Sequence, residues 1–327
     1  MKIKIPDRIK TVLFPLRYLL ALVPFAWIFR KVNLAEFENV YRNTAWWTIP
    51  WVLSSAFMVI FLNGVRWWIL LRKFAPTLPF SQALKTHFIS AYYSVILPTS
   101  FAQDATRIFL TSKHVDYSIV WGAAWIYKLI YFFTWTIIST YGILTLNKEL
   151  LPKGSYMAVF LLIAILALLV YLSFSKRTTA PLRVLLNKFL PKKIMGVFEN
   201  IRQGIYNYRD NKRDLYYAIF LTIFIQMIFI FGTSFVLYGI TGNFHLIECF
   251  AFLPVIDILC MLFPLTPNSV GIREIFYAYM FTMIGRSEEE LGVFISIGLL
   301  GYFLKLVGGI PLLVDLFKGK PVSSKKN

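Results

Sequence analysis

Stretches of about twenty residues with almost no charge recur along the whole chain, and this recurrence constrains the fold more than any single motif does. The charge-poor runs cover 12–29, 44–65, 117–147, 154–175, 215–244 and 289–314. A helical span needs about 20 apolar residues at a rise of about 1.5 Å each, so every run is long enough to cross a bilayer. Hydrocarbon offers no hydrogen-bond partners to a bare backbone, which leaves helices as the spanning form for runs of this length. The expected fold is an all-α polytopic membrane protein with six full transmembrane helices. Composition agrees, because 58% of the 327 residues are hydrophobic and only 15% are charged. No charge-rich stretch of 60 residues is left to build a soluble catalytic domain.

Two further apolar stretches, 87–110 and 249–283, resist a single span. The first is interrupted by Pro98, Asp104 and Arg107, the second by Pro264, Pro267, Arg273 and Glu274. Each reads as two short half-helices forming a re-entrant hairpin. Lys and Arg set the orientation of such a chain. With both hairpins returning to their side of origin, 25 basic residues (counting Arg17) fall on one side and seven on the other, with Lys128 and Lys305 inside spans. That asymmetry predicts cytoplasmic N- and C-termini in the cell membrane. The first residues, Lys2, Lys4, Arg8 and Lys10 before an apolar run that ends in PFAWIFRK, read as a retained signal anchor. The net charge of +18 points to anionic inner-leaflet lipids as partners rather than nucleic acid. Within 178–213, Ile194, Val197, Phe198, Ile201, Ile205 and Tyr208 alternate with Lys192, Lys193, Arg202, Arg209, Lys212 and Arg213 at helical spacing. This pattern predicts a basic amphipathic helix lying on that leaflet.

The two broken stretches resemble each other. In ILPTSFAQDATRIFL and LFPLTPNSVGIREIFY, a proline is followed two residues later by a hydroxyl (Ser100, Thr266) and nine residues later by an arginine (Arg107, Arg273). The shift that lays Pro98 on Pro264 and Arg107 on Arg273 also lays 44–65 near 215–244 and 117–147 near 289–314. The chain therefore reads as one transmembrane domain, 1–327, of two halves near 1–150 and 151–327. Each half has three crossings and a hairpin, and the odd number inverts the second half. Such repeats place a substrate site where their discontinuous helices meet. Helix starts after Pro98, Pro264 and Pro267, with Gly271, Ser100 and Asn268 nearby, leave backbone N–H groups that favour anions, and arginine adds a bidentate phosphate donor. Salt bridges such as Arg107 with Asp104 explain the same residues without a ligand.

Three segments, NGVRWWILLRK (63–73), HFISAYYSVILPTSFAQDATRIFL (87–110) and FPLTPNSVGIREIFY (263–277), resemble the transmembrane, flippase-like domain of lysylphosphatidylglycerol synthases. The most specific parts are Arg66-Trp67 and the Pro264, Pro267, Gly271, Arg273, Glu274 set. The resemblance implies movement of an anionic, aminoacylated or glycosylated lipid, including one linked to a polyprenyl phosphate, between leaflets. Members of that family usually carry glycines where this chain has Thr99, Ser100, Asn268 and Ser269. The soluble synthase domain of that family is expected to be lacking here, so a separate lipid-modifying synthase or glycosyltransferase is an expected partner, with a homodimer as a further arrangement.

Intramembrane charges complete the expected site. Lys128 lies deep in its span, with Asp104, Asp257 or a lipid phosphate as candidate partners. Lys305 precedes Gly308, Gly309 and Pro311, which suggest a bend and close packing. Asp257 is suited to carry a proton or pair with an arginine. Arg66, beside Trp67 and Trp68, reads either as an interfacial anchor or as a head-group ligand, and His87 and His114 as solvated residues near the interface. Cys249 and Cys260 lack zinc-site or disulfide spacing, and no metal, cofactor or nucleotide motif appears. The chain is therefore expected not to be an enzyme. The alternative is a membrane-embedded hydrolase of lipid pyrophosphates, similar to undecaprenyl-pyrophosphate phosphatases. Asp104, Glu274 and Ser100 would have to serve as its acid, base or nucleophile, and the paired glutamates of that group are missing.

Overall fold

The computed structural model describes residues 22–97, 101–151, 154–174, 196, 203–206, 208, 211–262 and 266–312. Among these the chain is helical throughout, with no strand. A helix over 22–31 (α1) leads into α2 (Leu34–Asn43), α3 (Thr48–Leu71), α4 (Phe80–Ile96), α5 (Ala102–Thr111), α6 (Tyr117–Thr145) and α7 (Ser155–Phe174). The second part holds α8 (Lys212–Thr241), α9 (Leu246–Leu262), a 3-10 turn Pro267–Ser269, α10 (Ile272–Met283), α11 (Glu288–Leu304) and a 3-10 turn Lys305–Gly309.

Among the described residues, three helices are long and apolar enough to cross a membrane: Thr48–Leu71, Lys212–Thr241 and Glu288–Leu312. The 29 residues of α6 have the length, but Thr134, Thr136 and Ser139 are buried along it and Lys128 interrupts its apolar run. Most of 12–29 lies outside the described residues. Large apolar side chains such as Phe160, Leu161 and Leu168 on α7 and Phe220 on α8 point outward. In water such a surface would aggregate, and in lipid it is the ordinary exterior.

Both broken stretches are pairs of helices. Pro98, Thr99, Ser100 and Pro264 lie outside the described residues, but the helices on either side of each break are clear, and each packs against its partner. Under the shift that superposes Arg107 on Arg273, Phe80–Ile96 falls on Leu246–Leu262, Thr48–Leu71 falls within Lys212–Thr241, and Tyr117–Thr145 overlaps Glu288–Leu312. Contacts follow the same correspondence. The pair α3 and α8 is the most extensive, and α6 packs on α9 as the turn Lys305–Gly309 packs on α4. These approaches depend on glycine. A Cβ on Gly142 would come within 2.4 Å of backbone atoms of Phe250 and Ala251, and one on Gly308 within 2.1 Å of the Phe88 carbonyl oxygen. The bend expected after Lys305 is thus a 3-10 turn pressed against α4.

Several expectations need correction. The span 44–65 runs on to Leu71, so Arg66 and Trp67 sit inside the helix, at 1% and 0% exposure. Arg66 is therefore a buried cation and not an interfacial anchor. His87 is buried as well, because α4 begins at Phe80 and carries it into the bundle. Of the two, only His114 is exposed, and it pairs with Gln82. The short helix α2 was not anticipated; Asn33 caps it by accepting from the Ala35 N–H. Of the expected amphipathic helix, mostly outside the described residues, Ile205 and Tyr208 are buried and Gly204 packs against Gly122 of α6. These two side chains lie against protein, and the rest of that face lies outside the described residues.

Candidate functional site

A cavity of about 400 Å³ lies where α3, α5, α6, α8, α9, α10 and the end of α11 meet, within the usual range for a small-ligand site. Its wall joins the two broken stretches: Asp104 and Arg107 come from α5, Asp257 from α9, Asn268 and Ser269 from the break, Arg273 and Glu274 from α10.

On one side Asp104 is shared. Its Oδ1 accepts from Arg107 Nη2 at 2.7 Å, and its Oδ2 lies 2.5 Å from Lys128 Nζ. Position along the helix makes the first contact, since residues three apart on α5 share a face. The second is tertiary, brought by α6. Arg107 is 1% exposed, and its guanidinium stacks 4.0 Å from the Tyr127 ring centroid and 4.3 Å from that of Trp67. Arg66 approaches the same tyrosine ring at 3.6 Å. Two guanidiniums are thus held in a low-dielectric interior by aromatic faces, which attract cations without supplying a negative charge. Arg66 donates to Thr222 and to Asn63, each at 2.7 Å, and Tyr127 also donates to Asn63. Asn63 and Tyr127 reach the cavity wall; Arg66 lies behind them.

On the other side Arg273 Nη2 meets Asp257 Oδ1 at 3.0 Å, and Nη1 donates to the Tyr302 hydroxyl at 3.0 Å. The second oxygen of Asp257 accepts from Tyr131 of α6. Lys305 Nζ donates to Asn268 Oδ1 at 3.3 Å and stands 5.4 Å from the Tyr302 ring. Lys128, besides its bond to Asp104, touches the Met261 sulfur at 4.0 Å. Glu274 is committed elsewhere: its Oε2 accepts from the Gly271 N–H at 2.6 Å, capping the start of α10. It lines the wall but holds a helix end.

The break itself is tightly wound. Asn268 and Ser269 have φ of +47° and +60°, and Gly271 has +89°. Left-handed backbone disfavours a Cβ by about 1–2 kcal/mol, a cost that Asn268 and Ser269 carry and Gly271 does not. Ser269 offsets part of that cost by donating to the Cys260 carbonyl at 2.9 Å. Pro267 opens the 3-10 turn.

Several donors in this region have no acceptor among the described residues: Arg107 Nε, Arg273 Nε and Asn268 Nδ2 are buried and unpaired. Leaving a buried donor unmade costs about 1–3 kcal/mol, so such groups point to a ligand or water.

The structure brings together Asp104, Arg107, Lys128, Asp257, Asn268, Arg273, Glu274 and Lys305. Ser100, Pro98 and Pro264 lie outside the described residues. Sequence reasoning missed Asn63, Tyr127, Tyr131 and Tyr302. Polar side chains one turn away on the same face were the signal for two of them, since Tyr131 follows Lys128 and Tyr302 precedes Lys305 by three residues.

Fold and site together define a helical membrane protein with a charged, partly closed cavity inside its bundle. The chain matches the lysylphosphatidylglycerol synthase TM region family over residues 15–308, and it belongs to that family. No curated protein matches it. The family assignment carries a membrane protein with a lipid-related role.

Proposed function

We propose that this protein is a lipid flippase, moving an anionic or glycosylated lipid between leaflets of the cell membrane without chemical change. The observation that carries the reading is the cavity, in which Arg107, Lys128, Arg273 and Lys305 converge from both halves beneath a lipid-facing exterior. A head group dragged bare through hydrocarbon must bury an unpaired charge, and a groove of cations and hydroxyls lowers that cost. The two helix pairs act as re-entrant hairpins in an inverted repeat of six full spans, a reading supported by the common offset of the paired helices and by their matched contacts. Arg107 and Arg273, separated by that same offset, are then equivalent and alternate as phosphate ligands. The termini are cytoplasmic, and the substrate comes from a separate lipid-modifying synthase or glycosyltransferase.

Translocation of labelled lipids in reconstituted vesicles tests this. Arg107→Lys and Arg273→Lys keep the charge but lose the planar fork, and at Arg107 the stacking on Tyr127. Transport should fall at least about tenfold, the loss expected for one charged hydrogen bond, while insertion persists. Full transport in both variants removes these arginines from the mechanism. Phosphate released from a prenyl pyrophosphate would instead favour the hydrolase.

A further inference from the structure

Arg107 and Arg273 are held alike at one edge of the guanidinium, and the carboxylates that hold them are not. The Nε and Nη2 N–H groups of an arginine lie side by side and form a fork that grips a phosphate. In both residues a carboxylate oxygen occupies Nη2, from Asp104 and from Asp257, while Nε is unpaired among the described residues. Each carboxylate thus blocks a fork that it half uses. A phosphate that takes both N–H groups has to displace it.

What the displaced carboxylate keeps differs between the two sides. Asp104 retains Lys128, a full counter-charge, on its Oδ2. Asp257 retains the Tyr131 hydroxyl, which carries no charge. Lys128, one turn before Tyr131 on α6, is committed to Asp104. The other groups around Asp257 and Arg273 are Cys260 of α9, Glu274 and Tyr277 of α10, Tyr302 of α11 and Lys305 of the turn after it. Cysteine and tyrosine are uncharged at neutral pH. Lys305 donates to Asn268, and Glu274 offsets its charge. A phosphate seated at Arg273 therefore leaves a second anion beside it without a cation of its own, a cost that a proton on Asp257 removes. Asp257 is 14% exposed, so solvent can deliver that proton.

We propose that this is a proton-coupled site: a lipid phosphate takes the Arg273 fork, the displaced Asp257 accepts one proton from solvent, and that proton leaves when Asp257 returns to Arg273. This rests on the flippase reading for its lipid but not for its proton. Seating the same phosphate at Arg107 takes up no proton, because Lys128 stays with Asp104. The two halves of the cavity are thus unequal, one loading with the lipid alone and the other with lipid and proton together. The same chemistry fits a free phosphodiester. Val52, Ala56 and Val59 of α3 with Phe229 and Val236 of α8 form an apolar part of the wall, which suits hydrocarbon and favours the lipid.

The test is the pH dependence of phosphatidylglycerol binding to the purified full chain, since this phosphodiester keeps one charge from about pH 5.5 to 8 while a linked proton shows as a slope. In Arg107→Gln, where the Arg273 fork is the intact one, Kd should rise about three- to tenfold per pH unit, tenfold being the limit for one proton. In Arg273→Gln, with the lipid confined to Arg107, Kd should stay level over the same range. Adding Asp257→Asn to Arg107→Gln, which keeps a hydrogen-bonding oxygen but cannot ionise, should remove the slope. Adding Glu274→Gln, or His87→Gln at the histidine facing Arg107, should leave it. Should these variants fail to fold, the wild-type chain saturated with phosphatidylglycerol in weak buffer should take up as much as one proton per molecule, and none with diacylglycerol. No uptake by the wild type, a slope at Arg107 instead of Arg273, or a slope that survives Asp257→Asn overturns the proposal. Dimethyl phosphate binding as tightly as the lipid overturns its lipid part. Proton-linked binding without translocation defeats only the flippase reading, and translocation without proton uptake defeats only this one.

Discussion

Asp104 holds two cations at once, and its substitution separates their roles. Asp104→Asn leaves Arg107 and Lys128 facing each other without a counter-charge, and breaking a buried pair costs about 3–5 kcal/mol. Contact with the cavity reduces that figure, so a loss near its lower end is expected as a fall in melting temperature in detergent. An anionic lipid should restore part of it, because a ligand that binds the folded state stabilises it. Tyr131→Phe is milder. It removes the hydroxyl donated to Asp257 while Arg273 stays paired, so a loss of about 1.5–3 kcal/mol is expected, read by the same melting assay. Of these residues the charged ones were legible in the sequence, because an ionised group inside a span demands a reason. The tyrosines were less so, since aromatic residues are common in any membrane span; only the one-turn spacing of Tyr131 from Lys128 and of Tyr302 from Lys305 marks two of them.

Helix contacts in this molecule depend on positions without side chains. Gly142 of α6 lies against the backbone of α9, and Gly122 lies against Gly204, where a Cβ would come within 2.4 Å of a backbone atom. Backbone cannot yield as a side chain can. Gly142→Val should therefore destabilise the chain by about 1–3 kcal/mol, the usual cost of overpacking, and shift Asp257 relative to Tyr131. Melting temperature checks the first effect, and weaker lipid binding checks the second. At Gly298, where a Cβ meets nothing within 4 Å, Gly298→Ala should be neutral or slightly stabilising. The pairs α4 with α5 and α9 with α10 were legible as broken stretches, because proline and charge interrupt hydrophobic runs. The extension of α3 to Leu71 was not. Arg66 ends an apolar run by charge, yet the helix continues because Thr222, Asn63 and Tyr127 satisfy it from elsewhere in the fold.

At the scale of the molecule, the proposed inverted arrangement predicts a topology that labelling can read. A single cysteine at Lys113 should be protected from an impermeant maleimide in intact cells and one at Arg42 modified, since charge asymmetry puts these exposed positions on opposite sides. Labelling at Lys113 alone would reverse the orientation and with it the proposed direction of the halves.

Sequence by itself determined the class of this protein: uncharged runs of span length, and two interrupted runs that each carry an arginine nine residues after a proline. These are properties of local composition and spacing, and a bilayer turns them directly into helices because no other backbone is satisfied there. Tertiary structure alone decided which charges meet. Asp104 finds Lys128, Asp257 finds Tyr131, and Arg66 and Arg107 find one tyrosine ring only after distant helices pack. Electrostatic pairing in a low-dielectric interior depends on distance in space, to which separation along the chain is nearly blind.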